Sequence, residues 1–133
     1  MPNPRVERKE FTFVGVDGGN TIAFHRLSRF DRVIACTARV RQACDGDGAV
    51  TIGRQGAASA FMVAGDVAAT VAGRKTAATG AGLAGNGFRA IDETDAQSLV
   101  QCVYTETTAT IVPIITIVLL IIRESTMDDL FIA

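Results

Sequence analysis

The run 111–122 constrains this chain more than any other stretch. It is apolar almost throughout, broken only by Pro113 and Thr116. A membrane-spanning helix needs about 20 apolar residues, and this run is too short for one. Isoleucine, valine and threonine dominate it. Their branched Cβ atoms crowd a helix but fit a pleated sheet. The run therefore predicts a buried strand, the last long one of the chain, ending near Arg123.

The rest of the chain follows the same two-residue period. Residues 10–16 alternate, with Phe11, Phe13 and Gly15 on one face. Asp17-Gly18-Gly19-Asn20 is a turn signal, and 21–27 reads as a second strand forming a hairpin with the first. Residues 32–44 form a long strand whose face Ile34, Cys36, Ala38, Val40 and Gln42 is assigned to the core. Asp45-Gly46-Asp47-Gly48 turns the chain, and 49–53 is expected to pair back. A strand at 60–63, one helical turn at 65–68, a loop over 76–87, a strand restart at 87–91 and alternation over 98–104 complete the pattern. No ten-residue amphipathic helix interrupts it. About eight short strands with turns between them predict an all-β, antiparallel β-sandwich or jelly-roll-like barrel. Pro2 and Pro4 hold the start of the chain extended. The expected organisation is an N-terminal arm over 1–8, one β domain over 9–125 and a C-terminal tail over 126–133.

At 133 residues with 48% hydrophobic and 20% charged side chains, the chain suits one packed domain and does not suit disorder. Only 6% of residues are aromatic, so the core must be aliphatic. The net charge of −1 is not that of a dedicated nucleic-acid binder. The charge is uneven: residues 1–54 hold nine basic and six acidic side chains, and the remainder four and eight. Arg26, Arg29, Arg32, Arg39 and Arg41 form the one basic concentration, which suits either a protein interface or a solvated face. The start of the chain has no apolar signal-peptide core. Cys36, Cys44 and Cys102 are widely spaced and form no CxxC, so free thiols and a reducing compartment are expected.

Each chemical motif has a plainer structural reading. Gly80-Ala81-Gly82-Leu83-Ala84-Gly85 matches G-x-G-x-x-G, but no buried strand precedes it and Asn86-Gly87 would break a following helix. A surface loop is the preferred reading. Asp45 and Asp47 lack the further oxygens that calcium requires. His25 is the sole histidine and stands in a strand-like run with no nucleophile motif nearby. Asp92, Glu93 and Asp95 lack the sugar-stacking aromatics of a glycosidase cleft, so a solvated turn is expected. These readings predict no enzyme, no cofactor and no metal.

The order of strands, and above all the segment TIGRQGAASAFMVAGDVAA (51–69), resembles the small all-β structural proteins of tailed-bacteriophage virions, in particular head decoration (cement) proteins. The resemblance spans roughly residues 9–123. It implies a non-enzymatic protein on the capsid exterior, made in the bacterial host cytoplasm. Its implied partners are itself, as a homotrimer, and the major capsid protein, with no nucleic acid and no membrane. The candidate contacts are Pro2, Pro4 and Arg5 of the arm, Arg26, Arg29 and Arg32 of the basic stretch, and Leu130, Phe131 and Ile132 of the tail. A tail or head–tail joining protein and a sugar- or receptor-binding β module are the alternatives.

Overall fold

The computed structural model describes residues 5–28, 31–83, 88–89 and 98–123. In chain order the strands are β1 (Arg5–Val14), β2 (Asn20–Arg26), β3 (Asp31–Gln42), β4 (Ala49–Arg54), β5 (Ala57–Met62), β6 (Gly73–Lys75), β7 (Phe88–Arg89), β8 (Leu99–Thr105) and β9 (Ile114–Arg123). One helical turn, α1 (Ala64–Val67), precedes β6, and a 3-10 turn spans Ala81–Leu83.

Antiparallel ladders nest inside one another at four levels: β1 with β9, β2 with β8, β3 with both β6 and β7, and β4 with β5. That nesting is a single long ribbon doubled back on itself. The ribbon then rolls, so that β9 also pairs with β3 and β8 also pairs with β4. Two sheets result, ordered β1-β9-β3-β6 and β2-β8-β4-β5, with β7 sharing an edge of β3. This is the jelly-roll form of the antiparallel sandwich, and it agrees with the fold class expected from the sequence.

The core is the aliphatic layer between the sheets. Ile115, Ile117, Leu119 and Ile121 of β9 are fully buried, and Val50, Ile52, Phe61, Met62, Val100, Cys102 and Tyr104 face them from the second sheet. Two closing strands therefore occupy sheet interiors, where both backbone edges are paired. The charged strand β1 is left at an edge. Its ion pairs, Arg8–Glu10 at 3.5 Å and Lys9–Glu7 at 3.4 Å, place charge where an open edge would otherwise invite further pairing. Phe11 of β1 stacks on Phe24 of β2, with centroids 4.7 Å apart, and closes the side of the sandwich between those two edges.

This arrangement corrects several local expectations. The turn at 17–20 is present, with Gly18 and Gly19 both at positive φ (88° and 92°), but β1 and β2 belong to different sheets and form no hairpin. Likewise β4 does not pair back on β3; its neighbours are β8 and β5. In both cases a more apolar distant strand takes the place of the local partner. The inward face of β3 also changes part-way along. A bulge between Val33 and Ala35 buries Val33 and turns Ile34 out, 38% exposed, while Cys36, Ala38 and Val40 point inward as expected. A second bulge near Arg41 leaves Gln42 exposed rather than in the core. Finally, β1 begins at Arg5 and pairs from there with β9, so residues 5–8 belong to the sheet and not to a free arm.

Candidate interaction surface

The two ends of the sandwich differ. At the proximal end Arg5 faces Arg123 across the β1–β9 ladder, so the first and last described strands begin and end together. Arg26, at the end of β2, and Arg32, near the start of β3, lie at this same end. They sit on different sheets. Arg26 is exposed and donates from Nη1 to Ser98 Oγ at 3.2 Å, while Arg32 is half-buried in β3 beside Ile122. Of the other contact residues read from the sequence, Pro2, Pro4, Arg29, Leu130, Phe131 and Ile132 lie outside the described residues. The segments carrying Pro2, Pro4 and the three tail residues join the domain at Arg5 and Arg123, which the fold brings side by side.

At the distal end, carboxylates tie three loops together. Asp47 accepts from the Thr107 and Thr108 amides, each at 2.9 Å, and from both hydroxyls. Asp45 accepts from the Thr110 amide at 2.6 Å, its hydroxyl at 2.7 Å and the Ile111 amide at 2.9 Å. Glu106 accepts from the Gly18 and Ala109 amides. These donors stabilise the ionised form. The Ile111 and Thr110 bonds lower the Asp45 carboxyl below its ordinary range, and the Thr107 and Thr108 bonds hold Asp47 well below it. The two aspartates are therefore occupied in fastening the β3–β4 connection to the segment leading into β9. Among the described residues no group of three His, Cys, Asp or Glu side chains forms a metal site.

The glycine motif has a packing role. Gly80 donates its amide to the Phe61 carbonyl at 3.2 Å and lies against the β5 backbone. A Cβ at Gly80 would overlap the Ala60 carbonyl and stand 2.6 Å from the Phe61 nitrogen; one at Gly82 would stand 2.8 Å from the same carbonyl oxygen. The segment is held on β5 and is no free loop over this part. Asp66 of α1 reinforces it by accepting from the Thr79 amide at 2.6 Å and from the Thr79 hydroxyl. Burial opposes ionisation of Asp66, but these bonds and that of the Val63 amide outweigh it and lower the carboxyl. His25 lies half-buried next to a β2 bulge, and Asp92, Glu93 and Asp95 fall outside the described residues. Cys36 and Cys102 are buried, and burial pushes the Cys36 thiol up to about 12 and raises that of Cys102 as well. Neither is a nucleophile near neutral pH.

The surface that differs most from an ordinary sandwich exterior is the outer face of the first sheet. Such a face is usually polar. Here β9 is apolar on both faces, and its outward Val118, Leu120 and Ile122 form a half-buried stripe. Val6 and Ile34, 60% and 38% exposed, extend it at the proximal end. Along the stripe runs a groove of about 390 Å³, bordered among the described residues by Arg8, Arg39, Arg41 and Arg74, with Glu10 as the one carboxylate. Arg41 Nε donates to Thr116 Oγ1 at 2.6 Å, which fixes one wall of the groove. Sequence alternation placed Arg39 and Arg41 on one face of β3. It could not bring Arg8 or Arg74 beside them, because β1 and β6 meet β3 and β9 only through long-range pairing.

The fold and surface define a jelly-roll sandwich with an arginine-bordered apolar outer face. No protein-family model and no curated protein matches the chain. Among solved structures it is similar to a chain of the "Cyanophage Pam1 capsid asymmetric unit", with TM-score 0.61 and 15% identity, over 90% of this chain and 84% of that one. At that identity the likeness is one of fold.

Proposed function

We propose that the chain is a structural protein of a tailed-bacteriophage virion, bound to the capsid exterior as a decoration (cement) protein. The observation that carries this reading is the similarity of fold, along nearly the whole chain, to a component of a cyanophage capsid asymmetric unit. Two features of the surface support it. The apolar outer face of the first sheet suits burial against a protein. Arg5, Arg26 and Arg32 all belong to strand ends at the proximal end, the end at which residues 1–4 and 124–133 join the domain. Closed assembly as a homotrimer would repeat one such interface three times. Three buried free thiols suit synthesis in the reducing host cytoplasm.

The test is co-sedimentation of the purified protein with expanded shells of the major capsid protein from the same virus. Saturable binding to the shell exterior is expected. Removing residues 1–4 or 126–133 should weaken binding and leave the thermal transition in place. Absence of binding to shells, with binding to tail or portal assemblies instead, would replace this reading with the joining-protein one. Light scattering supplies a second check, since a trimer has three times the 14.0 kDa of the chain.

A further inference from the structure

We propose that the arginine end of the outer groove is an interface between copies of this chain. It receives the acidic distal loops of a second copy, with Asp17 of the turn 16–19 set against Arg39, Arg41 and Arg74. This contact would be the self-association of the reading above and rests on it, but it does not rest on the shell partner.

The strand registers gather the basic charge of the groove at one level. Arg39 sits opposite Thr116 of β9 on one side and Arg74 of β6 on the other, and Arg41 reaches the same Thr116 through its Nε bond of 2.6 Å. All three arginines are exposed, and among the described residues none has a carboxylate within ion-pair distance. Glu10 lies further along, level with Val118, and is paired with Arg8. Three like charges on one patch repel one another, and a carboxylate brought among them makes short, charge-assisted hydrogen bonds.

The opposite chemistry stands at the distal end. The connections 15–19, 43–48 and 106–113 carry Asp17, Asp45, Asp47 and Glu106 and no lysine or arginine. The carboxylate bonds of the latch tie these connections together, so the four acids form one patch. Apolar side chains stand among them, with Val16 55% and Ile111 48% exposed. The turn is the part that projects: Asp17 and Gly18 are exposed, and a Cβ at Gly18 would meet no atom within 4 Å. Among the described residues Asp17 has no basic partner within ion-pair distance. Groove and loops thus match twice, arginine to carboxylate and Val118 to Val16.

Two grooves do not suit one another face to face. Among the described residues each has four arginines to one glutamate, so like charges would meet. Groove and loops are different surfaces, and the contact between them is heterologous. Each copy offers its loops to one neighbour and its groove to another. Such a contact closes into a ring, three copies in the homotrimer, or runs on as an open chain.

The test is sedimentation velocity of the full chain, without shells, over a range of concentrations. The parent is expected to self-associate. Asp17→Arg on the loop, and Arg39→Glu with Arg74→Glu in the groove, should each weaken association by about tenfold or more, the scale of a reversed charge contact. Both should keep the parent's melting temperature. Mixing the two variants, one of them fluorescently labelled, should restore association between unlike chains, because the native loop of one meets the native groove of the other. A two-fold contact between grooves would be indifferent to Asp17→Arg. A parent that stays monomeric at the highest concentration it reaches would overturn the interface and the self-association reading together. A parent oligomer indifferent to either variant, or a mixture that stays monomeric, would overturn the interface alone. So would a groove variant that keeps the parent's oligomer and loses shell binding, which would give the groove to a capsid segment.

Discussion

Replacing Gly80 with alanine separates the two meanings of the G-x-G-x-x-G sequence. In the structure the added methyl would overlap the Ala60 carbonyl and stand 2.6 Å from the Phe61 nitrogen. Both neighbours are backbone of a paired strand and cannot swing aside as a side chain would. Overpacking of this kind costs about 1–3 kcal/mol. If the chain relieves it by withdrawing from β5, the Gly80–Phe61 hydrogen bond is lost, a net effect of about 1 kcal/mol. For a domain of this size each kcal/mol moves the melting temperature by roughly 4 °C. A fall of about 4–12 °C is therefore expected by calorimetry. Gly65→Ala is the control: it is exposed in α1, has no atom within 4 Å of an added Cβ and no positive φ. It should match the parent or exceed it by about 0.4–1 kcal/mol. The nucleotide reading makes the opposite forecast. At a hundredfold excess over its dissociation constant a dinucleotide would stabilise the fold by about 2.7 kcal/mol. A Gly80→Ala variant that melts with the parent, or a parent that melts substantially higher with dinucleotide, would refute the packing argument.

Three other outcomes test the core and the distal latch. Leu119→Ala, at a fully buried site in the centre of the first sheet, should lose about 2–5 kcal/mol in urea unfolding; a loss under 1 kcal/mol would place β9 elsewhere. Asp45, Asp47 and Asp66 have carboxyls lowered by folding, so their contribution is complete above the unfolded value of about 3.9 and is lost as pH falls through the lower folded values. The parent's melting temperature should thus fall below about pH 4, and Asp47→Asn should lie below the parent at pH 7 with the gap narrowing as pH falls below about 4; parallel curves would count against the latch. With Cys36, Cys44 and Cys102 all buried, a thiol reagent at pH 8 should label none of them until denaturant is added, and one fast-reacting equivalent would contradict their placement.

The interaction surface was only partly legible from the residues. Alternation placed Arg39 and Arg41 together, and the prolines and apolar tail drew attention to the two ends of the chain. The groove also needs Arg8 and Arg74, which are 31 and 35 positions from Arg39 and meet it through β9 and β6. No local period encodes such a meeting. The DGDG turn was visible as a turn, but its fastening to Thr107, Thr108 and Thr110 depends on residues some 60 positions away.

What the sequence determined by itself was the material of the fold: period-two alternation, β-branched strands, glycine turns and an aliphatic core. Those are local properties, set by which face a side chain takes and which φ a residue tolerates. Tertiary structure decided which strands became neighbours. The hairpins suggested by the turns at 17–20 and 45–48 gave way because β8 and β9 are the strands whose burial needs a partner on each edge. Satisfying both moved the charged β1 to an edge, joined the start of the sheet to its end, and left one apolar face of β9 turned outward. The outward face follows from the same two-sided apolar pattern that identified the strand. Where it points, and which arginines border it, follows only from the roll of the ribbon.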